Sequence, residues 1–191
     1  MVSKRTKVEL DQLKYFIDDG IDIKNRIIMI NDEIDNYNAS SYIRAMWQMF
    51  RDDNKAPIHV WINSPGGEAY AGLAVYDTII EISELGTEVV TRGTGMVMSV
   101  AFVIYLAGDR RCATENCTFM MHEVSGGAIG KSFELKNEAK ECERLTKICV
   151  ELIANRTGYK DTKWWNKFIK YEDRMMDISK ALELGVLCEE D

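Results

Sequence analysis

A serine, a histidine and a carboxylate that could together cleave an acyl bond stand far apart in this chain. Ser99 lies in Gly93-Thr94-Gly95-Met96-Val97-Met98-Ser99-Val100-Ala101, between an apolar run with Val89 and Val90 and another ending near Gly108. A strand feeding a helix through glycines places Ser99 at a helix start, where unpaired backbone N–H groups tolerate negative charge. The N–H of Val100 then faces the same way, which suits a hydroxyl nucleophile and its oxyanion. The competing reading of Ser99 is a small residue that lets a buried helix pack closely. The lipase-type G-x-S-x-G elbow is absent, and Gly93-Thr94-Gly95 lacks the third glycine of a dinucleotide fingerprint.

Serine hydrolysis also needs an imidazole base, a carboxylate that fixes its tautomer, and two donors for the oxyanion. The chain has two histidines. His59 falls between Ile58 and Val60 in mid-strand, the position of a packing histidine. His122 ends an extended piece ahead of Gly126-Gly127, as site residues on loops do. Asp173, within Tyr171-Glu172-Asp173-Arg174, supplies a carboxylate. Gly66-Gly67 follow a strand, at the end where open α/β sheets place their sites.

The elements that must position these groups read as alternating strands and helices. Val8, Leu10, Leu13, Phe16 and Ile17 have helical spacing that Asp18-Asp19-Gly20 ends. Arg26–Ile30 and Pro57–Ile62 read as buried strands, joined by a helix that Asn38 or Ser40 can cap. Strand, helix, strand is the crossover unit of a parallel sheet. A helix with Leu73, Tyr76, Ile79 and Ile80 follows Gly67, then a strand over 86–91, a turn at 93–100, and a wholly apolar helix from Ser99 to about Ala107. Short extended pieces over 111–113 and 118–122 lead to the longest helix, residues 132–156, roughly 37 Å at 1.5 Å per residue. Its stripe of Leu135, Ala139, Cys142, Leu145, Cys149, Leu152 and Ile153 is long for so small a domain, so part of it is expected to meet another subunit. Gly158 stops it, Asp161 can cap a helix with Trp164, Trp165 and Phe168, and Ser179 can cap the last turns.

With 191 residues, of which 46% are hydrophobic, the chain suits one domain. The expected division is an N-terminal segment, 1–25, and a single domain, 26–191. A net charge of −7 argues against a nucleic-acid surface and a polybasic membrane patch. No apolar stretch is long enough to span a bilayer, and Glu9, Asp11, Asp18 and Asp19 interrupt the basic start, so a cytoplasmic protein is expected. Five cysteines without a C-x-x-C pair suggest neither a disulfide framework nor a metal site.

These motifs together resemble the proteolytic subunit of the Clp protease. Val60-Trp61-Ile62-Asn63-Ser64-Pro65-Gly66-Gly67 is similar to that family's Y-I-N-S-P-G-G, and Ala71-Gly72 and Val75-Tyr76-Asp77-Thr78 also match. Gly95-Met96-Val97-Met98-Ser99 resembles G-x-A-A-S, Met120-Met121-His122-Glu123 resembles M-I-H-Q, and Asp173-Arg174-Met175-Met176 resembles D-R-F-L. The close, Ala181 to Leu187, is similar to A-x-E-Y-G-L-V. The resemblance runs from about Arg26 to Leu187. Departures stand at Val100, where methionine is usual, at Val124 for proline and at Glu172 for arginine, with a few extra residues between Gly67 and Ser99.

The resemblance implies an α/β fold, a ClpP/crotonase-like spiral of βαβ units with a protruding long handle helix. It implies Ser99 as nucleophile, His122 as base, Asp173 as orienting carboxylate, and the N–H groups of Gly67 and Val100 as oxyanion hole. It further implies that polypeptide substrate pairs with backbone around Gly126-Gly127 and that the handle joins two heptameric rings. An ATP-driven AAA+ unfoldase would act as partner, with no cofactor in this subunit. Two alternatives remain: a catalytically inactive ring subunit, or a crotonase-type acyl-CoA enzyme, which also pairs two backbone donors.

Overall fold

The computed structural model describes residue 14 and residues 18–188. The expected N-terminal helix, 8–17, lies almost wholly outside the described residues. Strands β1 (Ile21–Asp22), β2 (Ile27–Ile30) and β3 (Ile58–Ser64) are joined, between β2 and β3, by helix α1 (Asn36–Asp52). Helix α2 (Ala69–Glu84) carries the chain to β4 (Val89–Met98), which runs into helix α3 (Val100–Leu106). After β5 (Arg110–Ala113) and β6 (Thr118–Met121) come α4 (Ser132–Thr157), α5 (Thr162–Ile169), β7 (Arg174–Met176) and α6 (Ile178–Glu183).

The strands form one sheet in the order β1-β2-β3-β4-β6-β7, with β5 paired to β4 alone. β2, β3 and β4 are parallel, so α1 and α2 are the crossovers of two βαβ units. Residues of β2 and β3 alternate between buried and half-buried, so one face of these strands meets the core and the other is only partly covered. Every residue of α3 is buried, which is why a helix with no polar stripe is stable here. Val60 and Ile62 of β3 and Phe119 of β6 share its core.

β4 departs from the sequence expectation. Gly93-Thr94-Gly95 reads locally as a turn, yet the strand runs through it. Its first half pairs with β5, from Val90 to Gly93, and its second half with β6, from Met96 to Met98. The ladder to β3 shifts register between Ile62 and Ser64, and the Met96 N–H donates to Asn63 Oδ1 at 3.2 Å. Gly95, at φ 58°, supplies the irregularity that lets one strand change partners. Tertiary pairing therefore overrides the local turn signal.

Two helix starts also differ. Asp35, not Asn38 or Ser40, caps α1; Asn38 instead closes the capping box from inside the helix. Asp177, not Ser179, caps α6. Asp161 caps α5 as expected, and Gly158, at φ 62°, ends α4. Within α5, Trp165 is fully buried while Trp164 stacks on Phe168 with ring centroids 4.8 Å apart.

Burial pushes the thiols of Cys117 and Cys149 up to about 11 from an ordinary 9.0. The unfolded chain sheds these protons first, so their contribution to stability is whole below pH 9 and is lost as pH climbs toward 11. Iodoacetamide at pH 8 should modify both at least ~10-fold more slowly in the folded protein than after denaturation. Equal rates would contradict their burial.

Candidate active site

Strand β6 gathers the candidate residues. Its parallel partner β4 sets Met98 beside Met120, and the Ser99 N–H continues that ladder, donating to the Met120 carbonyl at 2.9 Å. Its antiparallel partner β7 sets Met121 opposite Arg174. His122 directly follows β6 and Asp173 directly precedes β7. The end of one strand thus carries His122 between residues delivered by two neighbours.

Ser99 joins β4 to α3 in a single residue. It adopts φ 55° and ψ −127°, a region that a side chain rarely occupies and that costs on the order of 1–3 kcal/mol. This conformation aims Oγ out of the sheet, where it lies 2.9 Å from His122 Nε2. With the proton on Nδ1, Nε2 accepts the hydroxyl hydrogen. Asp173 is exposed and lines a cleft of about 550 Å³ with His122, Glu123, Ile169, Tyr171 and Glu172. Among the described residues no hydrogen bond joins Asp173 to His122. Its neighbours are tied elsewhere: Arg174 pairs with Glu172 at 2.5 Å, and the Tyr171 N–H donates to Glu123 Oε2 at 3.3 Å.

The glycine turn after β3 passes directly against Ser99. A Cβ on Gly66 would stand 2.6 Å from the Cβ of Ser99, and one on Gly67 would stand 2.1 Å from the Ile34 carbonyl oxygen. Only hydrogen fits at either place. The Ile34 N–H donates to the Gly66 carbonyl at 2.7 Å, and the Glu68 N–H donates to the Ile34 carbonyl at 2.8 Å. In this one-residue parallel bridge the bonds flank Gly67, so its own N–H is turned away from Ile34. Gly67 and Val100 line a second, smaller cleft of about 130 Å³ with Ser99, His122, Met121 and Cys149.

Gly126 and Gly127 are exposed, in a stretch without strand structure between β6 and α4. Gly126 backs onto Glu138 and Cys142 of α4. Upstream, the Val124 N–H donates to Thr146 Oγ1 at 2.9 Å. Sequence reasoning missed Thr146; Cys149, read as packing, is buried in the core and also lines the smaller cleft. The signal was their three-residue spacing on one long helix, which places both on one side. His59 is half-buried within β3, remote in register from these groups. Among the described residues no group of three or more His, Cys, Asp or Glu side chains could hold a metal ion.

The family profile described as Clp protease matches residues 19–189, and the chain belongs to that family. The match begins earlier than the motifs alone indicated. An ATP-dependent Clp protease proteolytic subunit from Bacteroides fragilis is 34% identical over 167 residues, covering 86% of this chain and 78% of that protein. One from Ligilactobacillus salivarius is 32% identical, covering 86% and 82%. The structure of a ClpP1 mutant from Listeria monocytogenes superposes with a TM-score of 0.76 at 29% identity, covering 86% of this chain and 90% of that one. The fold is thus ClpP-like, and the chain is a ClpP-like peptidase subunit.

The strain at Ser99 gives a direct test. Glycine adopts its dihedral angles freely, whereas alanine does not. Ser99→Gly should therefore unfold about 2–4 °C above Ser99→Ala, the shift that roughly 1 kcal/mol produces in a domain of this size. A more stable alanine variant would contradict the strained elbow.

Proposed function

We propose that this chain is a serine-type peptidase subunit that cleaves peptide bonds through an acyl-enzyme on Ser99. The observation that carries the proposal is the 2.9 Å contact between His122 Nε2 and Ser99 Oγ, made at a backbone conformation that side chains rarely adopt. In the first step Nε2 takes the hydroxyl proton as Oγ attacks the scissile carbonyl carbon. The N–H groups of Gly67 and Val100 stabilise the resulting oxyanion. The imidazolium then returns its proton to the leaving amine, which leaves the acyl group on Ser99. Water, deprotonated by His122, releases the acid. Asp173 holds the Nδ1 proton and steadies the imidazolium.

The same reading assigns polypeptide substrate to the backbone around Gly126 and Gly127. It assigns assembly to paired heptameric rings joined through α4. Support for that assembly comes from exposed apolar side chains: Ile129 in the loop just before α4, and Phe133 and Leu135 in its first turn, 106%, 58% and 44% exposed. An AAA+ unfoldase spending ATP would feed the chamber, the subunit itself needs no cofactor, and the protein works in the cytoplasm. Among the described residues no helix is long and apolar enough to cross a membrane.

A second reading, an inactive ring subunit, rests on one observation: Asp173 is exposed and not bonded to His122. Hydrolysis of short fluorogenic peptides separates the two. Ser99→Ala should lower the rate by at least ~10³ while assembly is unchanged. Hydrolysis at the wild-type rate in that variant would remove Ser99 from the reaction. A wild-type protein that assembles yet turns over no peptide would favour the inactive subunit.

A further inference from the structure

One polar network away from Ser99 ties the cleft to the long helix. Tyr70 lies in the first turn of α2, three residues beyond Gly67. Its hydroxyl donates to Glu141 Oε1 of α4 and accepts from Arg144 at 3.1 Å. Arg144 also donates to both oxygens of Glu141, at 2.9 and 2.6 Å, so three side chains close a ring of hydrogen bonds. Arg144 first, and Tyr70 second, hold the Glu141 carboxyl at about 2, so the acceptor is charged at any working pH. The two members of an exposed ion pair contribute little by themselves. Their consequence here lies in what they hold.

The start of α2 lacks a local tie, because its N-cap residue, Glu68, makes no side-chain cap bond. The short stretch from Gly67 to Tyr70 is instead anchored at its outer ends. Ile34 bridges Gly67, Asn36 donates to the Glu68 carboxylate, and α4 grips Tyr70. Between these anchors, Gly67, Glu68 and Ala69 form one wall of the small cleft at Ser99. The opposite wall, Val124 and Ser125, is held by the Thr146 hydroxyl of the same helix, whose Cys149 also lines the cleft. A single helix therefore sets the separation of two walls that are distant in sequence.

We propose that Tyr70 is a positioning residue: held by the Glu141–Arg144 pair of α4, it keeps the start of α2 in place and so steadies the Gly67 amide that the Ile34 bridge orients. This rests on the peptidase reading only for its catalytic consequence; the tether itself does not. An amide that drifts weakens the transition state more than it weakens substrate binding, so kcat suffers and KM does not.

The test compares Tyr70→Phe, which keeps the ring, with Glu141→Gln and the double variant in the full-length assembled protein. Losing one charge-assisted hydrogen bond should lower kcat about three- to tenfold in Tyr70→Phe with KM changed by less than ~2-fold. The double variant should be no worse than the more affected single one. Independently of activity, hydrogen exchange of the Glu68 and Gly72 amides, bonded to the Ile34 and Glu68 carbonyls, should quicken several-fold in both single variants, with exchange in β3 and α3 unchanged. Exchange at wild-type rates in Tyr70→Phe overturns the proposal whether or not the wild type hydrolyses peptides. So does an unchanged kcat in a wild type whose turnover depends on Ser99. Absence of that turnover counts against the peptidase reading alone, and exchange then decides the tether.

Discussion

The register of β6 is the constraint on which the site depends. A strand paired parallel on one edge and antiparallel on the other has no freedom to slide, since a slip of one residue would turn His122 to the opposite face and break both ladders. Ser99 is brought to His122 by the backbone ladder of β4 and β6, and Asp173 stands one residue before the strand that pairs with β6 on its other edge. Polar groups whose own attraction is small can be held together this way, because the alignment is supplied by the sheet.

That alignment carries a conformational cost at Ser99 and a steric one at Gly66 and Gly67. The buried mass of α3 offsets the first. Seven consecutive apolar residues, all buried against β3, β6 and the neighbouring helices, fix the helix so firmly that its leading residue must absorb the angle between strand and helix. The glycines meet the second, since the loop after β3 passes so near both Ser99 and Ile34 that no Cβ has room. The composition of the turn follows from the approach of two backbones.

Much of this was legible in the sequence because most candidate residues sit where a strand ends: Gly66 and Gly67 after β3, Ser99 after β4, His122 after β6. The long helix was legible from its length and its stop at Gly158. The passage through Gly93 and Gly95 was not, because two glycines so close together signal a turn unless the pairing of both strand halves is known. The caps failed for a narrower reason. Asp35, Asn38 and Ser40, or Asp177 and Ser179, are all competent caps, and tertiary packing chose the earlier residue of each set. Tyr70 gave no signal at all, since its partners lie 71 and 74 positions away.

The long helix therefore serves the site as well as any assembly. Its buried half, from Leu145 to Ala154, belongs to the core, and its polar side holds both walls of the cleft. The central claim is that Ser99, alone among the hydroxyls of the chain, is made nucleophilic by His122. The most direct measurement is to treat the assembled protein with a fluorophosphonate and map the attached group by mass spectrometry of its peptides. The account predicts one modification per subunit, on Ser99, and its loss in His122→Ala. Attachment spread over surface serines, or labelling of Ser99 undiminished without His122, would contradict it.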